Sequence, residues 1–339
     1  MNQQWSKFLE SQSATISDSG EVSFVHGDQL TDCAIFDLTH LRLISITGAD
    51  AVPFLQGQLT NDINQVSCEH HQMSSHCTHQ GRMLANFRVF SHDGALILQL
   101  PADTKSALIK HLSMFVLRSQ VHIEDVSDQM VAIGLAGEYA TTLLGERFSQ
   151  VPESPGADGM SLLSLPGHPP RYEIIGQAAT IESMWKELST QARATNHAIW
   201  SLLEIRAAIP TVYSNTAEAF VPQMLNMQLL DGVSFTKGCY VGQEVVARMR
   251  YLGELKRRMY LARADTERQP QPGDELFSDS GEQSGQGAGK VVMSAPSPQG
   301  GYELLAVVAA SSYQDKTVHL EHASGPVLEF LPMPYTFDE

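Results

Sequence analysis

No stretch of the sequence is apolar for long enough to cross a bilayer as a helix. The longest apolar runs, such as residues 304–310, are far shorter than the roughly 20 residues that a membrane span needs. Residues 1–28 are polar and rich in serine and glutamine, and they lack the basic start and apolar core of a signal peptide. We therefore expect a soluble protein of the cytoplasm with no membrane partner.

Cysteine and positive charge are also scarce. The four cysteines are too few and too scattered for a disulfide scaffold, so we expect free thiols in a reducing compartment. The 22 Lys and Arg residues are outnumbered by 38 Asp and Glu residues, and the formal net charge is −16 at pH 7. A surface this negative repels phosphate backbones, which excludes broad non-specific binding of nucleic acid.

The composition that remains is that of an ordinary globular protein, with 42% hydrophobic and 18% charged residues. A chain of 339 residues is long enough for two or three domains, each with its own core. Disorder is therefore excluded as the general state of the chain.

The predicted elements repeat in order along the first two thirds of the chain. We predict strands at residues 41–47, 85–90, 95–100, 121–123, 130–135, 161–165 and 172–175, and helices after Asp50, after Asp103, at 138–144 and at 181–194. Twice the order is strand-helix-strand-strand-helix, which is typical of a ferredoxin-like split-βαβ unit. After Met249, short strands alternate with turn-rich stretches, which predicts a small antiparallel β-barrel.

These patterns predict an α+β fold of two ferredoxin-like split-βαβ units and a C-terminal barrel. The expected division is an N-terminal segment at 1–29, a first α/β domain at 30–125, a second at 126–240, and a linker helix with the barrel at 241–339. In the predicted helices, Asp50 and Asp103 are expected to be N-caps, with Val52 and Phe115 on the buried faces.

Two motifs that suggest ligand binding fail on spacing. Residues 68–79 contain two cysteines and four histidines, but they lack the closely spaced cysteine pair of a zinc site, so we predict a polar strand and loop without metal. Residues 285–290 are similar to a phosphate loop, but Ser284 replaces its first glycine and Val291 follows the lysine. We predict a hairpin tip there.

Residues 235–244 carry the strongest chemical signal. Gly238 is expected to allow a sharp bend, and a helix is predicted to begin near Gly242. Cys239 would then precede a helix N-terminus, where backbone N–H groups favour a thiolate, and Lys237 would add positive charge. The alternative is a buried cysteine in a tight turn.

Further candidates flank this segment. Gln243 and Glu244 fall in the first turn of the predicted helix, where they suit capping or a ligand contact. A dense basic cluster follows, consisting of Arg248, Arg250, Lys256, Arg257 and Arg258. It suits an anionic ligand tail or an RNA backbone as well as a solvated face. Upstream, Trp200 on a helix at 198–209 could stack on a flat heterocycle or fill the core.

Three blocks of sequence resemble the YgfZ group of folate-binding proteins, relatives of the glycine-cleavage aminomethyltransferase. They are residues 46–62, residues 220–223 with Asn226, and residues 235–244, which contain the signature K-G-C-Y-x-G-Q-E. The similarity of order and spacing extends roughly from Phe36 to Tyr335.

The resemblance implies three domains around a central hole that binds tetrahydrofolate or a related reduced folate. It also implies a role in maintaining iron–sulfur enzymes, including those that thiomethylate tRNA. Cys239 takes the place of the family cysteine, with Lys237 beside it as the second candidate catalytic residue. The candidate folate contacts are Trp200, Leu41, Gln223, Gln243, Glu244 and Arg248, and Leu41 stands where the family can place an aromatic residue.

Two departures from the aminomethyltransferases bear on activity. Asn86 stands near the place of their catalytic aspartate, and an amide cannot act as a general base. Arg206 replaces an acidic residue of the helix that carries Trp200. We therefore expect an accessory factor rather than an enzyme with steady turnover. A folate-dependent one-carbon transferase and a non-catalytic module that docks on tRNA or protein are the alternatives.

Overall fold

The computed structural model describes residues 2–17, 20–145, 159–252, 255–278, 287–315 and 317–337. The chain forms two compact units, each built from several segments. The first unit comprises Met1–Leu55, Ile63–Gln72 and Phe87–Trp200, and the second comprises Gln56–Asp62, Met73–Asn86 and Ser201–Glu339. The expected four-part division of the chain stays a prediction.

Helices and strands alternate along most of the described chain. The α-helices are α1 (Gln3–Ser11), α2 (Ala51–Gln58), α3 (Ala102–Val116), α4 (Ala140–Gly145), α5 (Ala178–Leu188), α6 (His197–Arg206), α7 (Gln243–Leu252) and α8 (Ala310–Asp315). Short 3-10 turns lie at Ile63–Gln65, Ser214–Thr216, Pro222–Leu225 and Met227–Leu229. No helix in the described segments is both long and apolar enough to cross a bilayer.

Most strands belong to three larger sheets. The strands are β1 (Ala14–Ile16), β2 (Val22–Phe24), β3 (Ala34–Asp37), β4 (Leu41–Thr47), β5 (Gln72–Cys77), β6 (Met83–His92), β7 (Ala95–Pro101), β8 (His122–Asp125), β9 (Met130–Ala136), β10 (Ser161–Leu165), β11 (Arg171–Gln177), β12 (Arg193–Thr195), β13 (Arg257–Ala264), β14 (Glu275–Phe277), β15 (Gly289–Pro296), β16 (Tyr302–Ala309), β17 (His319–Leu320) and β18 (Leu328–Phe330). Two sheets have five strands each, in the orders β5-β6-β7-β4-β8 and β10-β11-β9-β3-β12. In the second, β12 pairs with β3 in parallel, and the pairs β10–β11, β11–β9 and β9–β3 are antiparallel.

The mixed α+β class is therefore confirmed, and the split-βαβ description of the two repeats stays a prediction. In the first unit, one face of β9 and β11 packs on α5 through Ile133 and Ile174. The other face of each strand carries the alternating residues, because successive strand side chains point to opposite sides of a sheet.

The C-terminal barrel is confirmed. Its six strands have the order β17-β14-β15-β16-β13-β18, and each neighbouring pair is antiparallel. A bridge between His319 and Val327 nearly closes the sheet on itself. Its core includes Leu304, Ala306 and Val308, which alternate along β16 with residues of the opposite face.

The N-terminal segment is not simply a polar tail. Helix α1 buries Trp5, Phe8 and Leu9, and the ring of Trp5 meets the edge of Trp185 on α5 with 5.6 Å between centroids. The Trp5 indole N–H also donates to the buried carboxylate of Asp37 at 2.7 Å. These contacts make the segment part of the core of the first unit.

Several local predictions were wrong. Asp103 is not the N-cap of α3, since Pro101 holds that position and Asp103 lies in the first turn. Val52 and Phe115 are exposed rather than inward-facing. The helix expected at 181–194 ends at Leu188, because its last residues form strand β12. The motif at 285–290 lies partly outside the described residues.

Candidate functional site

A loop that carries Cys239 is tied to residues 56–62 within the second unit. Lys237 is buried, and its ammonium donates to the carbonyl oxygens of Leu59 at 2.8 Å and Asn61 at 2.7 Å. The ring of Tyr240 lies 5.2 Å from the Lys237 Nζ atom. Lys237 therefore anchors the loop from inside rather than presenting its charge to solvent.

Burial lowers the pKa of Lys237 to about 8, against a smaller opposing effect of Asp62. Carbonyl oxygens accept hydrogen bonds from the ammonium but do not supply the full charge of a carboxylate partner, so desolvation dominates. The amine thus holds its proton less tightly than an exposed lysine does. It remains largely protonated at neutral pH.

Further hydrogen bonds fix the start and end of the same loop. Asn61 donates through Nδ2 to the carbonyl of Asp231 at 2.5 Å, and Thr60 Oγ1 donates to the carbonyl of Gly232 at 2.7 Å. At the other end, the Val241 N–H donates to the Gly57 carbonyl at 3.2 Å. The Cys239 loop is therefore held on both sides by one segment that lies some 180 residues earlier in the sequence.

Gly242 is the glycine that the loop requires. Its φ of +83° lies in the left-handed region, and a Cβ atom there would lie 2.5 Å from the Thr78 carbonyl oxygen. By contrast, a Cβ on Gly238 would meet no atom within 4 Å, and its φ is not in the left-handed region. The prediction that Gly238 makes the sharp bend was wrong.

Cys239 is exposed at the surface of this anchored loop. Helix α7 begins at Gln243, so Tyr240, Val241 and Gly242 separate the thiol from the first helical residue. The described contacts of the Lys237 ammonium are with carbonyls and a ring, so the expected charge support for a thiolate is not seen. What the fold supplies is an accessible thiol on a fixed backbone.

The other cysteines differ in ways that make them useful controls. Burial raises the pKa of Cys33 to about 11 and that of Cys77 to about 12. Both thiols are therefore protonated and shielded at neutral pH. Cys68 is exposed like Cys239, but it belongs to the first unit.

Three further predicted residues lie on α7, and Gln243 among them is half-buried. Gln243 and Glu244 form its first turn, and Glu244 and Arg248 are exposed. The Gln223 side chain is buried instead, and its Nε2 donates to the Val246 carbonyl at 2.5 Å. Gln223 thus binds the backbone of α7 from the protein interior and is not exposed to solvent.

Trp200 and Leu41 belong to the first unit. Trp200 is only 1% exposed, and its ring lies 5.2 Å from the ring of Phe36 and 5.6 Å from the Arg171 guanidinium. Gly134 lets this packing occur, because a Cβ there would lie 2.5 Å from the indole. The described surroundings therefore make Trp200 a core residue with no open face. Leu41 is half-buried at the start of β4, opposite Pro101.

The two departures from the aminomethyltransferases both have structural roles. Asn86 is buried, donates through Nδ2 to the Pro210 carbonyl at 2.8 Å, and accepts the Val212 N–H at 2.7 Å. Arg206 forms a bidentate ion pair with the buried carboxylate of Glu303. Its Nη2 donates to Oε1 at 2.6 Å and its Nε donates to Oε2 at 2.8 Å. Both groups are used within the second unit.

The basic cluster is less available than its sequence suggests. The Arg250 guanidinium lies 4.0 Å from the ring of Phe235, and that of Arg258 lies 4.5 Å from the ring of Phe337. Arg257 donates to the Gly287 carbonyl at 2.8 Å. Arg248, Arg250 and Lys256 are exposed, and Arg257 and Arg258 are half-buried.

Sequence reasoning missed the role of Asn61 and Leu59. The signal was present, because both lie in the first block of the family resemblance, but their contacts with Lys237 use backbone oxygens. Side-chain patterns do not reveal such contacts. No group of three or more His, Cys, Asp or Glu side chains suited to a metal ion lies in the part of the chain that the structure describes.

A solved structure has the same overall fold. Glycine cleavage system aminomethyltransferase T from Bartonella henselae matches 98% of this chain and 96% of its own, with a TM-score of 0.72 and 15% sequence identity. At that identity the likeness shows the fold alone. A family model described as the GCVT N-terminal domain matches residues 23–155.

Sequence relatives extend over most of the chain. The tRNA-modifying protein YgfZ of Colwellia psychrerythraea is 33% identical over 285 residues, which cover 83% of this chain and 87% of the relative. The protein of that name from Sodalis glossinidius is 31% identical over 311 residues, covering 90% and 94%. This degree of identity confirms the resemblance carried by the three sequence blocks: the chain belongs to the family of the tRNA-modifying protein YgfZ.

Proposed function

We propose that this protein binds a reduced folate and serves tRNA modification as an accessory factor, through the thiol of Cys239. Its relatives are named as tRNA-modifying proteins, and its fold is that of an aminomethyltransferase. We further propose that the protein maintains the iron–sulfur enzymes that thiomethylate tRNA.

One observation carries the role of Cys239. The thiol is exposed, yet its loop is held by the buried ammonium of Lys237 and by hydrogen bonds from residues 56–62. Burying an ammonium is costly, and most surface loops do without one. A loop anchored in this way presents its exposed group in a fixed position, as a reactive thiol requires.

A folate fits unsatisfied polar groups of the first unit. Arg88 and Gln99 are paired opposite each other on β6 and β7, and both are buried. The Nε atom of Arg88 and the Nε2 atom of Gln99 have no hydrogen-bond partner within the described part of the chain. Buried donors of this kind cost free energy unless they are paired, and a folate has ring and carboxylate acceptors to pair them.

We therefore assign Arg88 and Gln99 as further candidate folate contacts. Trp200 is left as a supporting core residue of the same unit, and Arg248 as an exposed contact still to be tested. When bound, a reduced folate would supply a carrier of one-carbon units. The residues of the chain would bind and orient it.

Anaerobic calorimetric titration with tetrahydrofolate tests the binding proposal. We expect saturable binding to the full chain, and a loss of at least tenfold in affinity in Gln99→Leu, which retains the shape of the side chain but removes its donor. Gln191→Leu, at an exposed position of the same unit, is the comparison and should bind as the unaltered chain does. Absence of binding to the unaltered chain would overturn the folate assignment.

Complementation tests the role of the thiol separately. In cells that lack their own protein of this family, Cys239→Ser should lose thiomethylated tRNA nucleosides, as measured by mass spectrometry. Cys68→Ser, which alters the other exposed thiol, should retain them. If Cys239→Ser retained thiomethylated nucleosides at the level of Cys68→Ser and the unaltered protein, a thiol mechanism would be excluded. Folate binding would then remain open.

The alternative of a one-carbon transferase has less support. The position of Asn86 offers a buried amide locked between Pro210 and Val212, with no acid or base in its place. An amide held by these two hydrogen bonds cannot act as a general acid or base. Steady turnover of a methyl or aminomethyl donor by the purified chain would restore this alternative.

A further inference from the structure

Exposed apolar side chains gather at the end of helix α3 in the first unit. Met114 is 55% exposed and Phe115 is 38% exposed, while Leu117, directly after the helix, is 89% exposed. The inner face of α3 is formed by Leu108 and Leu112. The helix therefore carries apolar residues on both faces in its last turns, where an amphipathic helix would place polar ones outside.

The backbone at Leu117 makes this exposure more informative. Leu117 has φ 45° and ψ −102°, a conformation that favours glycine and is rarely adopted by a residue with a side chain. Its side chain is almost fully in solvent, so no packing offsets the strain. A leucine kept in such a position indicates a use outside the folded chain.

The charges around these residues are positive, although the whole chain is negative. Lys110 and Arg118 are exposed, and the sequence has no acidic residue between Asp103 and Glu124. The neighbouring carboxylate of Asp50 already accepts the Gln120 N–H at 2.7 Å. We call the set of Lys110, Met114, Phe115, Leu117 and Arg118 the α3 patch.

We propose that the α3 patch docks an acidic segment of a partner protein. Apolar side chains of that segment would cover Met114, Phe115 and Leu117, and its carboxylates would face Lys110 and Arg118. Charge complementarity supports this occupant, because the patch is a local positive area that an acidic segment would recognise. The proposal depends on neither folate nor Cys239.

Other occupants fit the patch less well. A second copy joined through the same patch would bring like cations together. A single-stranded RNA would need flat rings to stack on, whereas methionine and leucine dominate the exposed area. A membrane surface would need a wide apolar face along a whole helix, and here it is confined to the last turns.

Two synthetic helical peptides of about 15 residues, each with the same Leu and Phe stripe, provide the probe. One carries glutamates beside the stripe and the other carries lysines, a change that isolates the charge preference. Fluorescence anisotropy with the full chain should show that the acidic peptide binds at least tenfold more tightly. Lys110→Glu with Arg118→Glu should reverse that preference. Met114→Ser with Leu117→Ser should weaken both peptides.

Val25→Ser is the matched control, because Val25 is an exposed apolar residue of the same unit, at 76% exposure. It should leave both affinities unchanged. Equal binding of the two peptides, or none at millimolar concentration, would overturn the proposal. So would patch-dependent binding to phosphatidylglycerol vesicles, or patch-dependent dimerisation in sedimentation experiments.

Leu117→Gly separates the docking role from a structural one. Glycine relieves the backbone strain at this position, so the melting temperature of the free protein should rise. The affinity for the acidic peptide should fall at the same time, because the exposed side chain is lost. A lower melting temperature would show that Leu117 serves the fold, and the proposal would then fail.

Discussion

Lys237 is the residue whose environment differs most from what its sequence position suggested. We expected its positive charge to stabilise a thiolate at Cys239. Its ammonium donates instead to the backbone carbonyls of Leu59 and Asn61. The motif K-G-C-Y-x-G-Q-E therefore combines two separate tasks. The lysine fixes the loop from within, and the cysteine is presented outside.

The lowered pKa of Lys237 predicts a pH dependence of stability. Its folded pKa is about 8, below the 10.5 of a free lysine, so the folded state loses the proton first as pH rises. Between these values the unfolded chain binds more protons, and stability rises with pH by at most about 1.4 kcal/mol per unit. Below pH 8 the cost of the buried ammonium is fully present.

Urea unfolding at pH 7.5 and 9.5 checks this prediction. The unaltered chain should gain stability relative to Lys237→Met over that interval, since the variant lacks the titrating group. Lys256→Met, which removes an exposed lysine, corrects for the loss of one charge. A constant difference between the chain and Lys237→Met would show that the amine is not buried in solution.

Asn86 offers a second prediction at the residue scale. In Asn86→Asp, one carboxylate oxygen can still accept the Val212 N–H, but the other would face the Pro210 carbonyl without a proton to donate. We expect a loss of roughly 2–4 kcal/mol in the free energy of unfolding at pH 7. Part of that loss should be recovered near pH 4, where a protonated carboxyl can donate. A neutral effect at pH 7 would contradict the hydrogen-bond assignment.

At the scale of elements, the sequence predicted those helices and strands whose structure depends on residues that are close together in the chain. The strands predicted at 85–90 and 95–100 are observed within β6 and β7, which form a hairpin whose turn residues Asp93 and Gly94 adopt positive φ. Helix α7 begins at Gln243, next to the start that was predicted near Gly242. In these cases the residues that determine the structure are adjacent in sequence.

Elements whose partners are remote were harder to predict. Helix α1 buries Trp5, Phe8 and Leu9, and the rings of Trp5 and Phe8 pack on Trp185, which lies far along the chain. The anchoring of Lys237 by Leu59 and Asn61 is of the same kind. The thiol and its loop could be found from the sequence, but the support beneath them could not, because backbone acceptors have no sequence signature.

Strand β9 and the Trp200 indole provide a prediction about packing between elements. A Cβ on Gly134 would lie 2.5 Å from the indole, so Gly134→Ala should destabilise the chain by roughly 2 kcal/mol. Trp200→Phe removes the part of the ring in conflict and should cost about 1–3 kcal/mol alone. The double variant should lose less than the sum, because the smaller ring makes room for the methyl group.

Urea unfolding of the four proteins in this cycle gives the coupling energy directly. A favourable coupling above about 0.5 kcal/mol would confirm the close packing of Gly134 on Trp200. Strict additivity would mean that the indole lies elsewhere, and Trp200 would again be a candidate stacking surface for a folate. The cycle therefore also tests the reassignment of folate contacts to Arg88 and Gln99.

At the scale of the whole molecule, charge limits how the protein can meet tRNA. The net charge is −16, and three of the five cations in the basic cluster are already used by rings or a carbonyl. Arg250 is exposed but lies on the ring of Phe235, so we count Arg248 and Lys256 as the two exposed cations for phosphate contacts, and two such contacts give weak binding. Under the proposed function, an enzyme that modifies the tRNA, rather than this chain, would hold it.

The binding of unmodified tRNA to the chain alone tests this inference. We expect a dissociation constant above about 10⁻⁴ M at physiological salt, with a slope of log K against log salt no steeper than about −2. Arg248→Glu with Lys256→Glu should remove the remaining binding, and Lys110→Glu should leave it unchanged. Submicromolar binding with a steep slope would require many phosphate contacts. The protein would then act on tRNA directly, and the non-catalytic docking module would become the better description.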